Sequence, residues 1–125
     1  MARVMVIDDD EVVRMTLTLV LEKAGHEVVS ADDGRKGMAL FKMNPVDIVL
    51  TDIYMPNQEG LATIMALRRA YPGVKVVAIS GGGAHAGLDV LPVAEALGAD
   101  RALRKPVNPK ELTAVVKELM EASDK

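Results

Sequence analysis

Five short apolar runs alternate along the chain with longer segments of helical period. VMVI (4–7), EVVSA (27–31), VDIVLT (46–51), VKVVAIS (74–80) and RALR (101–104) predict strands, RALR on the weakest propensity. Between the first two runs Val13, Leu17, Val20, Leu21 and Ala24 recur at helical spacing, and Gly25 marks the stop. The last helix is announced by Asn108 as N-cap, Pro109 at the first helical position and Glu111 in a capping-box-like place. Leu112, Val115, Val116, Leu119 and Met120 then share one face, and the terminal EASDK predicts a polar fray. Met38 and Phe41 mark a second helix, and Leu61, Ile64, Met65 and Leu67 a third. Pro92 sets the start of the fourth near Asp89, because proline is tolerated only in a first turn.

Strands that are apolar almost throughout are buried on both faces, which is the mark of a parallel sheet covered by helices. Right-handed crossovers then give a doubly wound α/β sandwich with five strands and five helices. The pattern shows no internal repeat and no linker, so residues 1–125 are expected to form one domain without a separate effector domain.

Composition narrows the chemistry. Half of the 125 residues are hydrophobic, enough for a core without staples, and there is no cysteine, so ligands must be oxygen or nitrogen. The formal net charge is −3, without a basic run, and the aromatic residues are only Phe41, Tyr54 and Tyr71. Neither a charged nucleic-acid groove nor a stacking platform is expected. After Arg3 the apolar run ends at Ile7, too short for a signal peptide, and no window suits membrane insertion. The expected location is cytoplasmic.

A parallel sheet brings the C-terminal ends of its strands to one edge, where ligands bind in such folds. Strand one runs into Asp8, Asp9 and Asp10, strand three into Thr51 and Asp52, strand four into Ser80, and strand five into Arg104 and Lys105. Asp8, Asp9 and Asp52 crowd negative charge that a divalent cation or a proton must offset. Hard oxygen ligands, few in number and filled out by water, suit Mg²⁺ or Mn²⁺ better than zinc. A hydroxyl at Ser80 and an ammonium at Lys105 supply what phosphoryl oxygens require. Asp10 and Glu11 are expected to open the first helix, where carboxylates favour the dipole.

At this constellation the chain resembles the receiver domain of two-component response regulators. The pieces are VIDDD closing strand one, TDIYMPNQEG after strand three, ISGGG after strand four and RKP after strand five. The resemblance implies a flavodoxin-like sheet of order 2-1-3-4-5, and Asp52 as acceptor of a phosphoryl group from a histidine kinase or histidine phosphotransfer protein. It implies that Asp9 binds Mg²⁺ directly, Asp8 directly or through water, with Asp52 and the main-chain carbonyl of Tyr54 as further ligands. Ser80 and Lys105 would contact the phosphoryl oxygens, and Lys105–Pro106 would be cis. Output would pass to a downstream protein through helix four, strand five and helix five, a surface that would include Arg101, Leu103 and Val107.

The chain departs from the family pattern at Ala102, where many receivers carry an aromatic residue that turns inward on activation. SGGGAHAG (80–87), with four glycines, is the expected switching element instead; it lacks the lysine and hydroxyl pair of a P-loop. Tyr54 and Gly82 occupy positions that influence hydrolysis of the acyl phosphate in the family. His26 and His85 are expected on the surface, Arg68 and Arg69 on a solvated helix face, and Met55 in the loop after Asp52. Two alternative functions compete with this one. A phosphorylation-independent pseudo-receiver conflicts with the intact acidic set. An aspartyl-phosphate hydrolase of the dehalogenase-like class would need an aspartate where Tyr54 stands.

Overall fold

The computed structural model describes residues 1–53, 59–81 and 91–123. In chain order the elements are β1 (Arg3–Ile7), α1 (Glu11–Lys23), β2 (Glu27–Ala31), α2 (Gly34–Met43), β3 (Ile48–Asp52), α3 (Glu59–Ala70), β4 (Lys75–Ser80), α4 (Leu91–Ala96), β5 (Arg101–Arg104) and α5 (Pro109–Ser123). All four strand pairings are parallel and the order is β2-β1-β3-β4-β5. This is the doubly wound sheet that the alternating pattern predicts.

Strand alternation divides the interior into two cores. Val4, Val6, Ile48, Leu50, Val77, Ile79 and Leu103 face α1 and α5, meeting Leu17, Leu21, Leu112, Val116 and Leu119. Met5, Ile7, Val49, Val76 and Ala78 face the other way, meeting Phe41 of α2, Ile64 and Leu67 of α3 and Ala94 of α4. A strand with both faces covered has no polar side to show, which explains why β1, β3 and β4 are apolar except at their ends. Asn108 caps α5 as expected, its Oδ1 accepting from the N–H groups of Lys110 (2.8 Å) and Glu111 (3.2 Å).

Several expectations need correction. Regular pairing of β3 begins at Ile48, not Val46, and runs through Asp52; Asp47 instead spends its carboxylate on the Arg3 N–H at 2.8 Å. On α3, Met65 is exposed while Leu61, Thr63, Ile64 and Leu67 turn inward, because a step of about 100° per residue carries position 65 off their arc. Glu121 and Ala122 continue α5 rather than fray. Within the described residues α4 starts at Leu91 with Pro92 second; Asp89 lies outside them. Leu103 is core, since its side of β5 faces α5, and so is not part of any docking surface.

Arg68 is the largest correction. Its guanidinium donates to the carbonyls of Gly98 (2.6 Å), Val74 (2.7 Å) and Pro72 (3.1 Å) and pairs with Asp100. Asp100 also accepts from the Val76 N–H at 2.8 Å, so one side chain ties the end of α3 to the starts of β4 and β5. The Arg68 stem lies so close over Gly98 that a Cβ there would fall 2.3 Å from Arg68 Cγ. His26 is half-buried, its Nδ1 accepting from the Ala2 N–H at 3.0 Å.

Candidate functional site

The turn leaving β1 is built around Asp8. Its N–H donates to the Ala31 carbonyl (3.2 Å) and its Oδ1 accepts from the Asp10 N–H (2.8 Å). Asp10 in turn caps α1, its Oδ1 accepting from the N–H groups of Val12 (2.9 Å) and Val13 (3.2 Å). A cap of this kind satisfies donors that the first helical turn leaves open. The result buries Asp8, 1% exposed, and leaves Asp9 exposed.

Asp52 ends β3. The register sets Ile7 opposite Thr51, so Asp8 and Asp52 come next to each other at the sheet edge, and Asp52 is buried as well. The start of α3 presses against this strand end: a Cβ on Gly60 would lie 2.2 Å from the Asp52 carbonyl oxygen and 2.5 Å from Ile53 Cα. Only glycine permits that approach.

Lys105 arrives from the other side of the sheet. Its N–H donates to the Ser80 carbonyl at 2.7 Å, fastening the end of β5 to the end of β4, and the Lys105–Pro106 bond is cis. The ammonium Nζ lies 3.0 Å from Asp52 Oδ2, to which it donates, and 2.9 Å from Asp8 Oδ2. Burial works against the Lys105 charge, but contact with Asp8 and Asp52 outweighs it and holds the group above the ordinary lysine range.

One ammonium faces two buried carboxylates, and Asp9 adds a third. Ligand oxygens of Asp8, Asp9 and Asp52 all lie within 4.8 Å of one another. Among the described residues no donor stands on a hydrogen-bonding line to the buried Asp8 Oδ2; Lys105 is near it only as an ion pair. A buried, under-coordinated carboxylate oxygen within an all-oxygen donor set fits a hard divalent cation such as Mg²⁺.

Ser80, the last residue of β4, is buried at the same edge, its hydroxyl donating to the Gly81 carbonyl at 3.2 Å. Ala102 is half-buried beside Ala78 in register and packs toward the core under α2, α3 and α4. Tyr54, Met55, Gly82 and His85 lie outside the described residues, as does most of SGGGAHAG. Sequence reasoning missed two residues that shape the site. Gly60 left no periodic signal, and Arg14, whose Nη1 donates to the Asp8 carbonyl at 2.8 Å, was hidden in an amphipathic helix.

A parallel sheet of order 2-1-3-4-5 with acids and a lysine at its C-terminal edge defines a class, and sequence comparison identifies it. Residues 4–117 match the response regulator receiver domain family, and the chain belongs to it. It is 32% identical over 123 residues to the transcriptional regulatory protein CpxR of Escherichia coli, covering 98% of this chain and 51% of that protein. It is 31% identical over 125 residues to the sensor kinase CckA of Brucella abortus, covering 98% of this chain and 13% of that protein. The chain thus spans about half of one relative and a small part of the other. Among solved structures, a response regulator receiver domain protein from Clostridium thermocellum superposes with a TM-score of 0.87 at 27% identity, covering 99% of this chain and 98% of that one. The chain is therefore a receiver domain of the two-component type, and among its described residues no helix is long and apolar enough to cross a membrane.

Proposed function

We propose that Asp52 is the phosphoacceptor of a two-component or phosphorelay pathway, charged by a phosphohistidine on a histidine kinase or phosphotransfer protein. The observation that carries this reading is the buried Asp8–Asp52 pair bridged by the Lys105 ammonium, with Asp9 alongside. A carboxylate oxygen of Asp52 forms the new bond to phosphorus while the bond from phosphorus to the donor imidazole nitrogen breaks, and the electron pair leaves with the imidazole. Lys105, already 3.0 Å from Asp52 Oδ2, offsets charge on the transferring oxygens, and the Ser80 hydroxyl serves another. Asp8, Asp9, Asp52 and the Tyr54 carbonyl would hold Mg²⁺, which when bound supplies the positive charge that draws phosphoryl oxygens toward Asp52.

Two features favour a protein donor. Val12, Met15 and Leu19 form an exposed apolar row on α1, which opens directly after Asp10. Val12, Val13, Thr16, Leu17, Pro106 and Val107 line an apolar groove of about 390 Å³ that Lys105 borders. A donor protein seated there would bring its phosphohistidine to the carboxylate edge. Phosphorylation would then switch a surface read by a downstream protein, one that includes exposed Arg101 of β5, ion-paired to Glu118 of α5. Nothing in the family match favours the hydrolase or the pseudo-receiver.

The test is intact mass after incubation with acetyl phosphate, for the wild type and Asp52→Asn, with Mg²⁺ or with EDTA. A gain of one phosphoryl group that needs both Mg²⁺ and Asp52 is expected. A gain that survives Asp52→Asn, or that ignores EDTA, would refute the assignment.

A further inference from the structure

We infer that Arg14 is a positioning residue for the acidic site: its guanidinium holds the β1–α1 turn in the shape that presents the Asp8 and Asp9 carboxylates to a cation. The inference rests on the metal reading proposed above. Arg14 meets the turn twice, and only the second contact belongs to its side chain. Its main-chain N–H donates to the Asp10 carbonyl at 2.9 Å, and its Nη1 reaches back to the Asp8 carbonyl at 2.8 Å. That second carbonyl belongs to the peptide joining Asp8 to Asp9, so its orientation sets both carboxylates at once.

Of the other polar atoms of Asp8, all but one are committed. The N–H goes to Ala31, Oδ1 receives the Asp10 N–H, and Oδ2 is the buried oxygen left for a cation beside Lys105. With Nη1 gone, the 8–9 peptide loses a bond that holds its plane, and the Asp8 and Asp9 carboxylates on either side of it lose part of their shared alignment. Among the described residues the guanidinium is not paired with an acid. Asp32, held low first by its hydrogen bond from Lys36 and less by the more distant Arg14 charge, is paired with Lys36 at 3.0 Å. A cation that donates to a neutral carbonyl next to a cation-binding cluster opposes that cluster electrostatically, so its benefit must be geometric.

This gives the test a sign. Removing a positive charge near a cation site strengthens binding if only Coulomb forces act. Loss of an outer partner that orients a ligand weakens it, by about 10- to 100-fold in metal sites. Mg²⁺ affinity is measured by titration calorimetry on the whole chain for the wild type, Arg14→Met, Arg14→Gln and Lys36→Met, with a thermal melt of each to establish folding. The expected result is binding at least about tenfold weaker in both Arg14 variants and unchanged or slightly tighter in Lys36→Met. In metal-free protein, amide exchange at Asp10 should also speed up on Arg14→Met, a readout that needs no cation.

Equal or tighter Mg²⁺ binding by folded Arg14 variants would overturn the inference while leaving the metal site standing. A wild type that binds no Mg²⁺ would overturn the metal reading and this inference with it. The two failures are told apart by which protein loses binding.

Discussion

Replacing Arg68 by methionine keeps an unbranched stem over Gly98 but removes donors to three main-chain carbonyls and the partner of Asp100. A hydrogen bond from a charged donor contributes about 1.5–3 kcal/mol in favourable cases. The Arg68 side chain is 23% exposed and that of Asp100 29%, so water replaces part of what is lost, and Asp100 retains the Val76 N–H. A net cost of about 3 kcal/mol is therefore expected for the whole cluster. With an unfolding entropy of about 2.1 cal/mol/K per residue, a chain of this length loses about 4 °C per kcal/mol, so the melting temperature should fall by about 10–12 °C. Urea and thermal unfolding followed by far-ultraviolet circular dichroism measure both quantities. Asp100→Asn and the double variant complete a cycle in which a coupling of about 1 kcal/mol or more is expected. A loss below about 1 kcal/mol for Arg68→Met would mean that the guanidinium merely decorates the α4–β5 corner, and the clamp would have to be abandoned.

Two further outcomes are expected. Gly60→Ala drives a methyl group into the Asp52 carbonyl and Ile53 Cα, backbone atoms that cannot swing aside, and should cost about 2 kcal/mol or more in urea unfolding; an unchanged midpoint would show that α3 can back away freely. His26 is held below its ordinary value of 6.5 by burial and by the nearby amino-terminal charge, so the folded state takes up its proton less readily than the unfolded chain. Its contribution is therefore complete above the unfolded value and lost as pH falls through the folded one. Urea stability should decline from about pH 7 toward pH 5, and His26→Asn, which keeps an acceptor but does not titrate, should flatten that slope. Equal slopes in the two proteins would remove His26 as the cause.

Helix and strand positions were legible because they depend on neighbours a few residues away. Val13, Leu17 and Leu21 reach the core at the spacing a helix dictates, and Asp10 and Asn108 serve as caps because a short polar side chain can meet its own helix's open N–H groups. The candidate site was legible for a related reason: in a parallel sheet every strand's C-terminal end shares one edge, so Asp8, Asp52, Ser80 and Lys105 could be gathered without knowing any distance. Tertiary structure alone decided which of these groups meet and how. Asp8 is buried and Asp9 exposed because a turn folds back on the Asp8 carboxylate and carbonyl. Arg68 looked like a solvated charge until the strand order brought Gly98 and Asp100, thirty and thirty-two residues away, within its reach. Leu103 looked like surface until register turned it under α5. Each of these outcomes depends on contacts between segments far apart in the chain, and local periodicity carries no information about them.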